Sequence, residues 1–222
     1  MCRSGITLTN IQAWLESLCE RGVWRLGVTL CIGSALSSCY LFLNGYLEPK
    51  VDLLTPLDAL IPYWPWSISV YLSLYGLYLV VGVTLSARQY AHTLLGLIAI
   101  ALISFVGFVA LTAHYPRPSP EQWAHSIWRP VIDTLMEHDQ PGNTCPSLHV
   151  STALYLGWSL RAHRWRWLWF TWALAISLST LTLKQHFVWD WVGGACVATL
   201  IVIAQRSSQS RRRLGEHSVN TE

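Results

Sequence analysis

The chain has 222 residues, of which 52% are hydrophobic and 12% are charged, and it contains 13 tryptophans. Soluble domains carry about 25% charged residues, so this composition excludes an ordinary soluble protein and favours a membrane protein. The net charge is only +3, and no segment has the pattern of a nucleic-acid-binding module, so nucleic acid is not expected as a partner.

The first segment, residues 1–22, has no continuous apolar run and no small-residue cleavage site, so it lacks the pattern of a signal peptide. Asn10 is a residue typical of helix N-caps. After it, apolar residues recur at helical spacing, at Ile11, Trp14, Leu15 and Leu18. This pattern predicts a short amphipathic helix that lies on the cytoplasmic membrane surface or packs at the rim of a bundle.

Six apolar stretches follow, and each is a candidate for a membrane-crossing helix, which needs about 20 apolar residues. They cover residues 23–43, 66–85, 91–114, 148–163, 167–183 and 187–205. The fourth and fifth stretches are short for a full crossing. The expected fold class is all-α, a six-span transmembrane helix bundle over residues 23–205. A basic tail at 206–222 is expected to be disordered because of its polar composition.

Basic residues indicate the orientation of this bundle, because cytoplasmic loops of membrane proteins are enriched in Lys and Arg. Eleven of the 15 basic residues fall in the N-terminal segment, the loops at 86–90 and 161–166, and the C-terminal tail. Eight of the 12 acidic residues fall on the other side. Both termini are therefore expected in the cytoplasm. The expected location is a bacterial inner membrane, with the polar loops of the other side in the periplasm.

The longest polar connection, about residues 115–147, lies on the non-cytoplasmic side between the third and fourth stretches. Connections of this length are usually functional or disordered. It ends in "CPSLH", where a helix is expected to begin with Ser147 at its cap and His149 in its first turn. The free N–H groups of a helix start attract anions, so this position is a candidate for phosphate binding.

A second polar group, "KQHFVWD", precedes the sixth apolar stretch. Polar side chains at the edge of a bilayer are costly and are usually kept for function. His186 and Asp190 are four residues apart, so on a helix the carboxylate can accept the imidazole Nδ1–H and leave Nε2 as a nucleophile. His149 can protonate a leaving oxygen. Arg117 and Lys184 can hold phosphate oxygens.

Each of these motifs is a weak signal alone, and their joint placement at helix starts on one face points to phosphoryl transfer. The expected site needs neither a metal nor a cofactor. It contains His186, His149 and Asp190 as catalytic residues, with Arg117, Lys184 and Ser147 as substrate-binding residues. The two histidines and the aspartate also suit zinc, so a metal-activated water is an alternative.

At these residues the chain resembles the type-2 phosphatidic acid phosphatase superfamily, and it looks most like the branch of inositol phosphorylceramide synthase-like proteins. The resemblance rests on "DQPGNTCPSLHVSTA" and "STLTLKQHFVWDWVGG", and the six-span arrangement extends it over residues 23–205. It implies that His149 is the general acid, that His186 becomes a phosphohistidine, and that Asp190 orients His186.

The sequence departs from the general pattern of that family at positions that bind phosphate. The family has a lysine seven residues before an Arg-Pro pair. At that distance Ala110 precedes Arg117, and Gln122 precedes Arg129. No lysine therefore stands at this position of the pattern.

Two further departures lie in the motifs themselves. Leu148 replaces the usual glycine of P-S-G-H. The Ser-Arg pair of the third motif is replaced by Ser179-Thr180, and Lys184 is available to supply the missing charge. The similar branch shares such changes, so activity is still expected.

The expected function is an integral membrane phosphatase or phosphotransferase that acts on a lipid phosphate at the non-cytoplasmic face. Its expected partners are the lipid bilayer and this substrate. Phosphatidic acid, phosphatidylglycerophosphate and polyprenyl pyrophosphate all fit. Hydrolysis and head-group transfer both remain open, because the same phosphohistidine serves both. The missing lysine and arginine leave a non-enzymatic alternative, a degenerate relative that binds or moves phospholipids.

Overall fold

The computed structural model describes residues 8–19, 22–48 and 50–219. These residues form ten α-helices, one 3-10 helix at Pro120–Gln122 and two short strands, β1 (Val51–Asp52) and β2 (Ala113–His114), which pair in parallel. The helices are α1 (Leu8–Cys19), α2 (Gly22–Tyr46), α3 (Pro56–Leu60), α4 (Ser67–Leu72), α5 (Leu74–Thr84), α6 (Ala87–Leu111), α7 (Arg129–His138), α8 (Leu148–Ser159), α9 (Arg166–Thr182) and α10 (Val188–Val219). The described chain is therefore mostly helical, as its sequence predicts.

Four described segments are long and apolar enough to cross a membrane: Gly27–Tyr46, Ser67–Thr84, Ala87–Leu111 and Val188–Ser208. They coincide with four of the six predicted apolar stretches. The fourth and fifth stretches form α8 and α9, with 12 and 17 residues. At 1.5 Å per residue these helices are about 18 and 26 Å long, shorter than a hydrocarbon core of about 30 Å. Six crossings and the orientation of the termini stay predictions.

α8 is the central helix of the bundle and is covered by other helices. It packs against α5, α6, α9 and α10. Its Leu156 lies in an apolar cluster with Leu77 of α5 and Ile176 of α9. On another side, Tyr155 packs with Ile201 of α10. A helix that is buried on several sides is apolar around its circumference, and this explains why the sequence of α8 looks like that of a membrane span.

α1 is a packed helix at the rim of the bundle. It begins at Leu8, so Asn10 lies within its first turn. The prediction of an N-cap at Asn10 is therefore wrong by two residues. Assigned helix ends commonly differ by one or two residues. Ile11 packs against α6. The Gln12 Nε2 atom lies 2.8 Å from the Nε2 atom of His92, which also belongs to α6. Of the two alternatives for this segment, the structure favours packing on the bundle.

α10 continues well beyond its apolar part. Its candidate membrane span ends at Ser208, whereas the helix runs to Val219. The backbone of residues 206–219 is therefore helical where the polar composition predicts disorder. The division of the chain into an N-terminal segment, a membrane domain and a tail otherwise stays a prediction.

One end of the bundle gathers the termini of several helices and the connection at 115–147. Trp64 N–H, just before α4, donates to the Thr182 carbonyl at the end of α9, at 2.9 Å. Ser147 N–H, just before α8, donates to the Asp190 carbonyl in the first turn of α10, at 3.0 Å. The connection is itself ordered, because it contains the 3-10 helix and α7. The predicted site residues lie at this end.

The opposite end carries basic residues that the sequence assigns to the cytoplasmic side. Arg25 of α2 donates from Nη1 to two carbonyls at the end of α5, at 3.2 and 2.9 Å. In the loop between α8 and α9 and at the start of α9, three guanidinium groups lie over tryptophan rings, within cation–π range. These are Arg161 over Trp158, Arg164 over Trp165 and Arg166 over Trp167, at 3.6, 5.5 and 5.6 Å from the ring centroids.

Two adjacent glycines let α10 approach the start of α8. A Cβ atom on Gly194 would lie 2.6 Å from the Ser147 carbonyl oxygen and 3.0 Å from the Val150 Cβ. A Cβ atom on Gly193 would lie 3.1 Å from the Pro146 Cβ. In a membrane, helices associate largely through close van der Waals packing, which small residues permit. This glycine pair therefore sets the spacing of the two helix starts that carry the predicted catalytic residues.

Replacing Gly194 with alanine should lower the thermal unfolding midpoint of the protein in detergent. The overlap with the Ser147 carbonyl costs about 1–3 kcal/mol, which outweighs the gain of about 1 kcal/mol from the better helix propensity of alanine. Gly33→Ala in α2 is the matched control, because its Cβ would meet no atom within 4 Å. We expect this control to keep or raise the midpoint. Equal midpoints for the two variants would contradict the packing role of Gly194.

Candidate active site

Ser147 is the N-cap of α8, as the sequence predicts. Its hydroxyl oxygen accepts a hydrogen bond from Val150 N–H at 3.2 Å, and the residue is fully buried. Its own N–H is bonded to the carbonyl of Asp190. Ser147 therefore both begins α8 and ties this helix start to the first turn of α10. Its hydroxyl hydrogen is still available as a donor to a third group.

His149 lies in the first turn of α8 and is held by Tyr71 of α4. Its Nε2 atom is 3.0 Å from the Tyr71 carbonyl oxygen, and the two rings stack with centroids 3.8 Å apart. A carbonyl oxygen only accepts, so Nε2 carries the hydrogen of this bond. In the neutral ring, Nδ1 is then the unprotonated nitrogen. Tyr71 thus fixes both the orientation and the tautomer of His149.

His186 and Asp190 are brought together by the structure, although His186 lies in the turn before α10 and not within that helix. The His186 Nδ1 atom is 3.5 Å from Asp190 Oδ2, and their side chains are 13% and 1% exposed. This distance is too long for a well-formed hydrogen bond. Among the described residues, neither His186 Nδ1 nor Asp190 Oδ1 has a hydrogen-bond partner. Catalytic hydrogen bonds often tighten only when substrate is bound.

The Asp190 carboxylate also stabilises the start of α10. Its Oδ2 atom accepts a hydrogen bond from Phe187 N–H at 3.1 Å. A carboxylate near a helix start interacts favourably with the free N–H groups and the dipole of the helix. Asp190 therefore has a structural role in addition to its position beside His186.

The turn that carries His186 is formed by the end of α9. Lys184 has a left-handed backbone conformation, with φ of 56°. Its N–H donates to the Leu181 carbonyl at 3.2 Å, and Gln185 N–H donates to the Thr180 carbonyl at 3.0 Å. These two bonds form a Schellman motif, in which glycine usually occupies the left-handed position. The chain reverses there, and this is why His186 precedes α10.

Asp58 holds this turn on both sides of His186. The Lys184 Nζ atom donates to the Asp58 carbonyl oxygen at 2.7 Å, and Val188 N–H donates to Asp58 Oδ1 at 2.8 Å. The other carboxylate oxygen accepts from the N–H and hydroxyl of Thr55, at 2.8 and 2.6 Å. Asp58 is 1% exposed. The short helix α3 therefore clamps the segment from Lys184 to Val188.

Arg117 presents an unpartnered edge of its guanidinium group. Nη1 donates to the Met136 carbonyl oxygen of α7. The buried Nε and Nη2 atoms have no hydrogen-bond partner in the part of the chain that the structure describes. These two nitrogens lie on the same edge, which is an edge that binds two oxygens of one phosphate or carboxylate. Arg129 differs, because its side chain is 60% exposed and pairs with Asp133 at 3.4 Å.

Asp139 places Arg117 and His186 in one electrostatic environment. Burial raises the pKa of the Asp139 carboxyl, while the hydrogen bond from Tyr40 and the charges of His186 and Arg117 act in the opposite direction. The Tyr40 hydroxyl donates to Asp139 Oδ1 at 2.6 Å. The region is thus polar and buried, with both acidic and basic groups close to one another.

Two more polar atoms in this region have no partner among the described residues, namely Asn143 Oδ1 and Thr144 Oγ1. Both residues are buried and lie just before α8. Asn143 has a left-handed backbone, with φ of 55°, and its Nδ2 donates to the Tyr40 carbonyl at 3.3 Å. Unpaired buried polar atoms are uncommon in proteins and mark places where a ligand or water completes the bonding.

A sequence profile of the PAP2 superfamily matches residues 66–204, more than half of the chain. The chain belongs to the PAP2 superfamily. The matched range extends from just before α4 into α10 and contains both motifs on which the resemblance rests. Neither a curated protein nor a solved structure matches the chain at a significant level. Superfamily membership and the four apolar helices support an integral membrane protein with a phosphatase kind of activity.

The residues that depart from the general PAP2 pattern are either exposed or bonded within their own helix. Ala110 is exposed near the end of α6, and Gln122 is exposed in the 3-10 helix. The hydroxyls of Ser179 and Thr180 donate to carbonyls of their own helix, at 2.6 and 2.7 Å. These positions therefore supply no cation. Arg117 remains beside the site with its buried edge, and the Lys184 ammonium lies on the Asp58 carbonyl.

Two residues that hold the candidate site in place escaped the sequence-based prediction. Asp58 had a visible local signal, because Thr55 and Asp58 form a capping box. That signal marks only a helix start, and nothing in it indicates a contact with Val188. Tyr71 had no signal, because it binds His149 through its backbone carbonyl and the face of its ring.

No group of three or more His, Cys, Asp or Glu side chains among the described residues is arranged to hold a metal ion. The alternative in which His149, His186 and Asp190 share a zinc is therefore not supported by their placement. Metal independence of the reaction stays a prediction.

Asp58→Ala should destabilise the protein and disturb the turn at His186. The change leaves the N–H groups of Thr55 and Val188 without their acceptor, at a cost of about 1–3 kcal/mol for each group that stays buried. The measurement is the thermal unfolding midpoint in detergent. Asp52→Ala is the control, because Asp52 is exposed and accepts from one N–H, that of Leu54, at 2.8 Å. A midpoint for Asp58→Ala as high as that of the control would be inconsistent with the clamp.

Proposed function

We propose that this protein is an integral membrane lipid phosphatase or phosphotransferase that works through a phosphohistidine, without a metal ion, at the non-cytoplasmic membrane face. The unpartnered edge of Arg117 is the observation that carries the proposal. Burying guanidinium donors without acceptors costs free energy. A phosphate group satisfies both Nε and Nη2 with two of its oxygens, and it also accepts hydrogen bonds from nearby hydroxyls.

The first chemical step forms a bond between His186 Nε2 and the phosphorus atom and breaks the bond from phosphorus to the lipid oxygen. Asp190 accepts the Nδ1–H of His186 and so leaves Nε2 as the nucleophile. His149 gives its Nδ1 proton to the departing oxygen, while its Nε2–H stays on the Tyr71 carbonyl. The imidazolium form of His149 is therefore the acid.

The second step releases the phosphoryl group from His186. Water, or the hydroxyl of an acceptor alcohol, attacks phosphorus and gives its proton to His149 Nδ1 as the bond to His186 Nε2 breaks. With water the products are phosphate and the original enzyme. With an alcohol the product is a new phosphate ester, so hydrolysis and transfer differ only in the acceptor.

Charge that develops on the phosphoryl oxygens is held by donors fixed in advance. Arg117 offers two N–H groups on one edge. Lys184 has three N–H donors, of which one is bonded to the Asp58 carbonyl, so two remain for phosphate. The Ser147 hydroxyl uses a lone pair for its cap bond and can still donate its hydrogen. Preorganised donors of this kind are usually a large part of catalysis.

The apolar surroundings favour a lipid substrate. Four segments among the described residues are long and apolar enough to cross a membrane, and the candidate site lies at one end of the bundle. An amphiphile can place its phosphate at Arg117 while its chains remain in the bilayer. The motif departures fit the branch of inositol phosphorylceramide synthase-like proteins, and the charge distribution fits a bacterial inner membrane with the site in the periplasm.

A second candidate function is binding or movement of phospholipids without catalysis. It is favoured by the absence of the PAP2 lysine before Arg117 and of the arginine at Thr180. In that case the buried edge of Arg117 binds a lipid phosphate and His186 does not form a covalent bond. Turnover of a lipid phosphate by the pure protein separates this function from the enzymatic one.

His186→Ala should abolish phosphate release from lipid phosphates, and His149→Ala should lower it by about 10²–10⁴-fold through lost acid catalysis. Purified protein is assayed in EDTA on phosphatidic acid, phosphatidylglycerophosphate and a polyprenyl pyrophosphate, with and without vanadate. His125→Ala, an exposed histidine in the connection before α7, is the control and should keep full activity. Full activity of purified His186→Ala would overturn the mechanism. Release that disappears in EDTA and returns with zinc would overturn metal independence.

Arg117→Lys should keep the positive charge and lose the two-pronged contact with phosphate. We expect kcat/KM to fall about 10–100-fold, since hydrogen bonds to charged groups contribute about 1.5–3 kcal/mol and each 1.4 kcal/mol is tenfold. Arg129→Lys is the matched control, because that side chain is exposed and pairs with Asp133. Equal kcat/KM values for the two variants would show that Arg117 does not hold the phosphate.

A further inference from the structure

A cavity of 760 Å³ lies at the end of the bundle opposite the candidate active site. Residues of α1, α6, α8 and α10 line it. On α8, the cavity is lined by Trp158 and Ser159 in the last turn, whereas His149 is in the first turn. Ten residues of helix separate Ser159 from His149, which is about 15 Å along the axis. The cavity is therefore distinct from the candidate active site.

The lining of the cavity changes from polar to apolar along two antiparallel helices. On α6, Arg88 near the helix start is followed by Leu95, Ile98 and Leu102 towards its middle. On α10, Gln205 and Ser208 lie at the polar end, and Ile201 lies at the apolar end. A charged end and an apolar wall that runs towards the membrane centre match the shape of an amphiphile.

Basic side chains form the rim of the polar end. Arg161 lies 3.6 Å from the centroid of the Trp158 ring, and Arg206 lies 5.7 Å from the same centroid. Arg206 lies outside the cavity lining, but two guanidinium groups near one ring repel each other, and an anion beside Arg161 lowers this repulsion. Arg88 is 70% exposed in its side chain and lies 3.9 Å from Glu16. Of the described residues that line the cavity, none is acidic.

The floor of the cavity has its own polar bonds. The Tyr155 hydroxyl donates to Gln205 Oε1 at 3.0 Å, and Gln205 Nε2 donates to the His92 carbonyl at 3.0 Å. Gly96 leaves the space that Tyr155 fills, because a Cβ atom there would overlap the tyrosine hydroxyl. The polar groups of the floor are thus bonded to one another. The arginines of the rim are the groups that bind the charge of an anionic ligand.

We propose that this cavity binds an anionic phospholipid of the adjacent membrane leaflet. Its phosphate lies beside Arg161 at the polar end of the cavity, which Arg88 also lines, and an acyl chain follows Leu95, Ile98 and Leu102. Basic pockets between membrane helices bind anionic head groups, and each Lys or Arg near the surface strengthens this binding. The volume is within the range of about 300–1,000 Å³ typical of ligand pockets. The proposal is independent of the chemistry at His186.

The test measures phosphatidylglycerol binding to the purified full chain in a neutral detergent, by native mass spectrometry and by the shift of the thermal midpoint. Phosphatidylcholine with the same acyl chains is the zwitterionic comparison. We expect phosphatidylglycerol to bind and raise the midpoint, and phosphatidylcholine to have little effect. In Arg88→Ala/Arg161→Ala, binding of phosphatidylglycerol should be about tenfold weaker or more. In the control Arg164→Ala/Arg166→Ala, which removes two exposed arginines outside the cavity lining, binding should be retained.

A second variant tests the cavity without changing charge. Ala204 lines the cavity and is exposed, so Ala204→Trp fills space there without disturbing the core. We expect it to weaken phosphatidylglycerol binding and leave all arginines in place. Equal loss in the control double variant, equal binding of phosphatidylcholine, or unchanged binding in Ala204→Trp would each overturn the proposal in favour of non-specific attraction to the basic end. None of these binding measurements depends on whether the protein turns over a lipid phosphate.

Discussion

The contact between the start of α8 and the first turn of α10 is the constraint on which the rest of the site depends. Ser147 N–H donates to the Asp190 carbonyl, and Gly194 lies against the Ser147 carbonyl with no room for a side chain. His149 lies two residues after Ser147 in α8, and His186 lies just before α10, so this contact fixes how the two segments that carry the histidines approach each other. Because interiors are close-packed, a small change in the helix spacing moves both imidazoles relative to each other.

The site is built from groups that serve the fold and the proposed chemistry together. Asp190 caps α10 and lies beside His186, and Ser147 caps α8 and borders the place proposed for phosphate. Lys184 closes α9 in a left-handed conformation while its ammonium reaches the Asp58 carbonyl. Polar groups in an apolar protein are costly unless they are bonded. When one polar side chain serves both roles, fewer polar groups have to be buried. The few buried polar atoms that have no partner among the described residues are then candidate positions for a ligand.

The central helix α8 connects two polar regions with different chemistry. At its start, His149 lies in a region with both acids and bases. At its end, Arg161 and Trp158 border a cavity whose described lining carries no acidic residue. An apolar middle separates the two ends, with Leu156 and Tyr155 packed against neighbouring helices. The proposed catalysis and the proposed lipid binding thus fall at opposite ends of the same helix.

Local patterns in the chain were sufficient for the helical class, four candidate spans, the cap at Ser147 and the closeness of His186 to Asp190, because each depends on residues close in sequence. Contacts between distant segments had no such pattern. Asp58 meets Val188 across 130 positions, and Tyr71 orients His149 through a backbone carbonyl, which every residue carries. The apolar sequence of α8 reflects burial by other helices as much as contact with lipid, and hydrophobicity does not distinguish these environments. Packing of the folded chain makes that distinction. It also leaves one edge of Arg117 without a hydrogen-bond partner among the described residues, while the side chain of Arg129 is exposed.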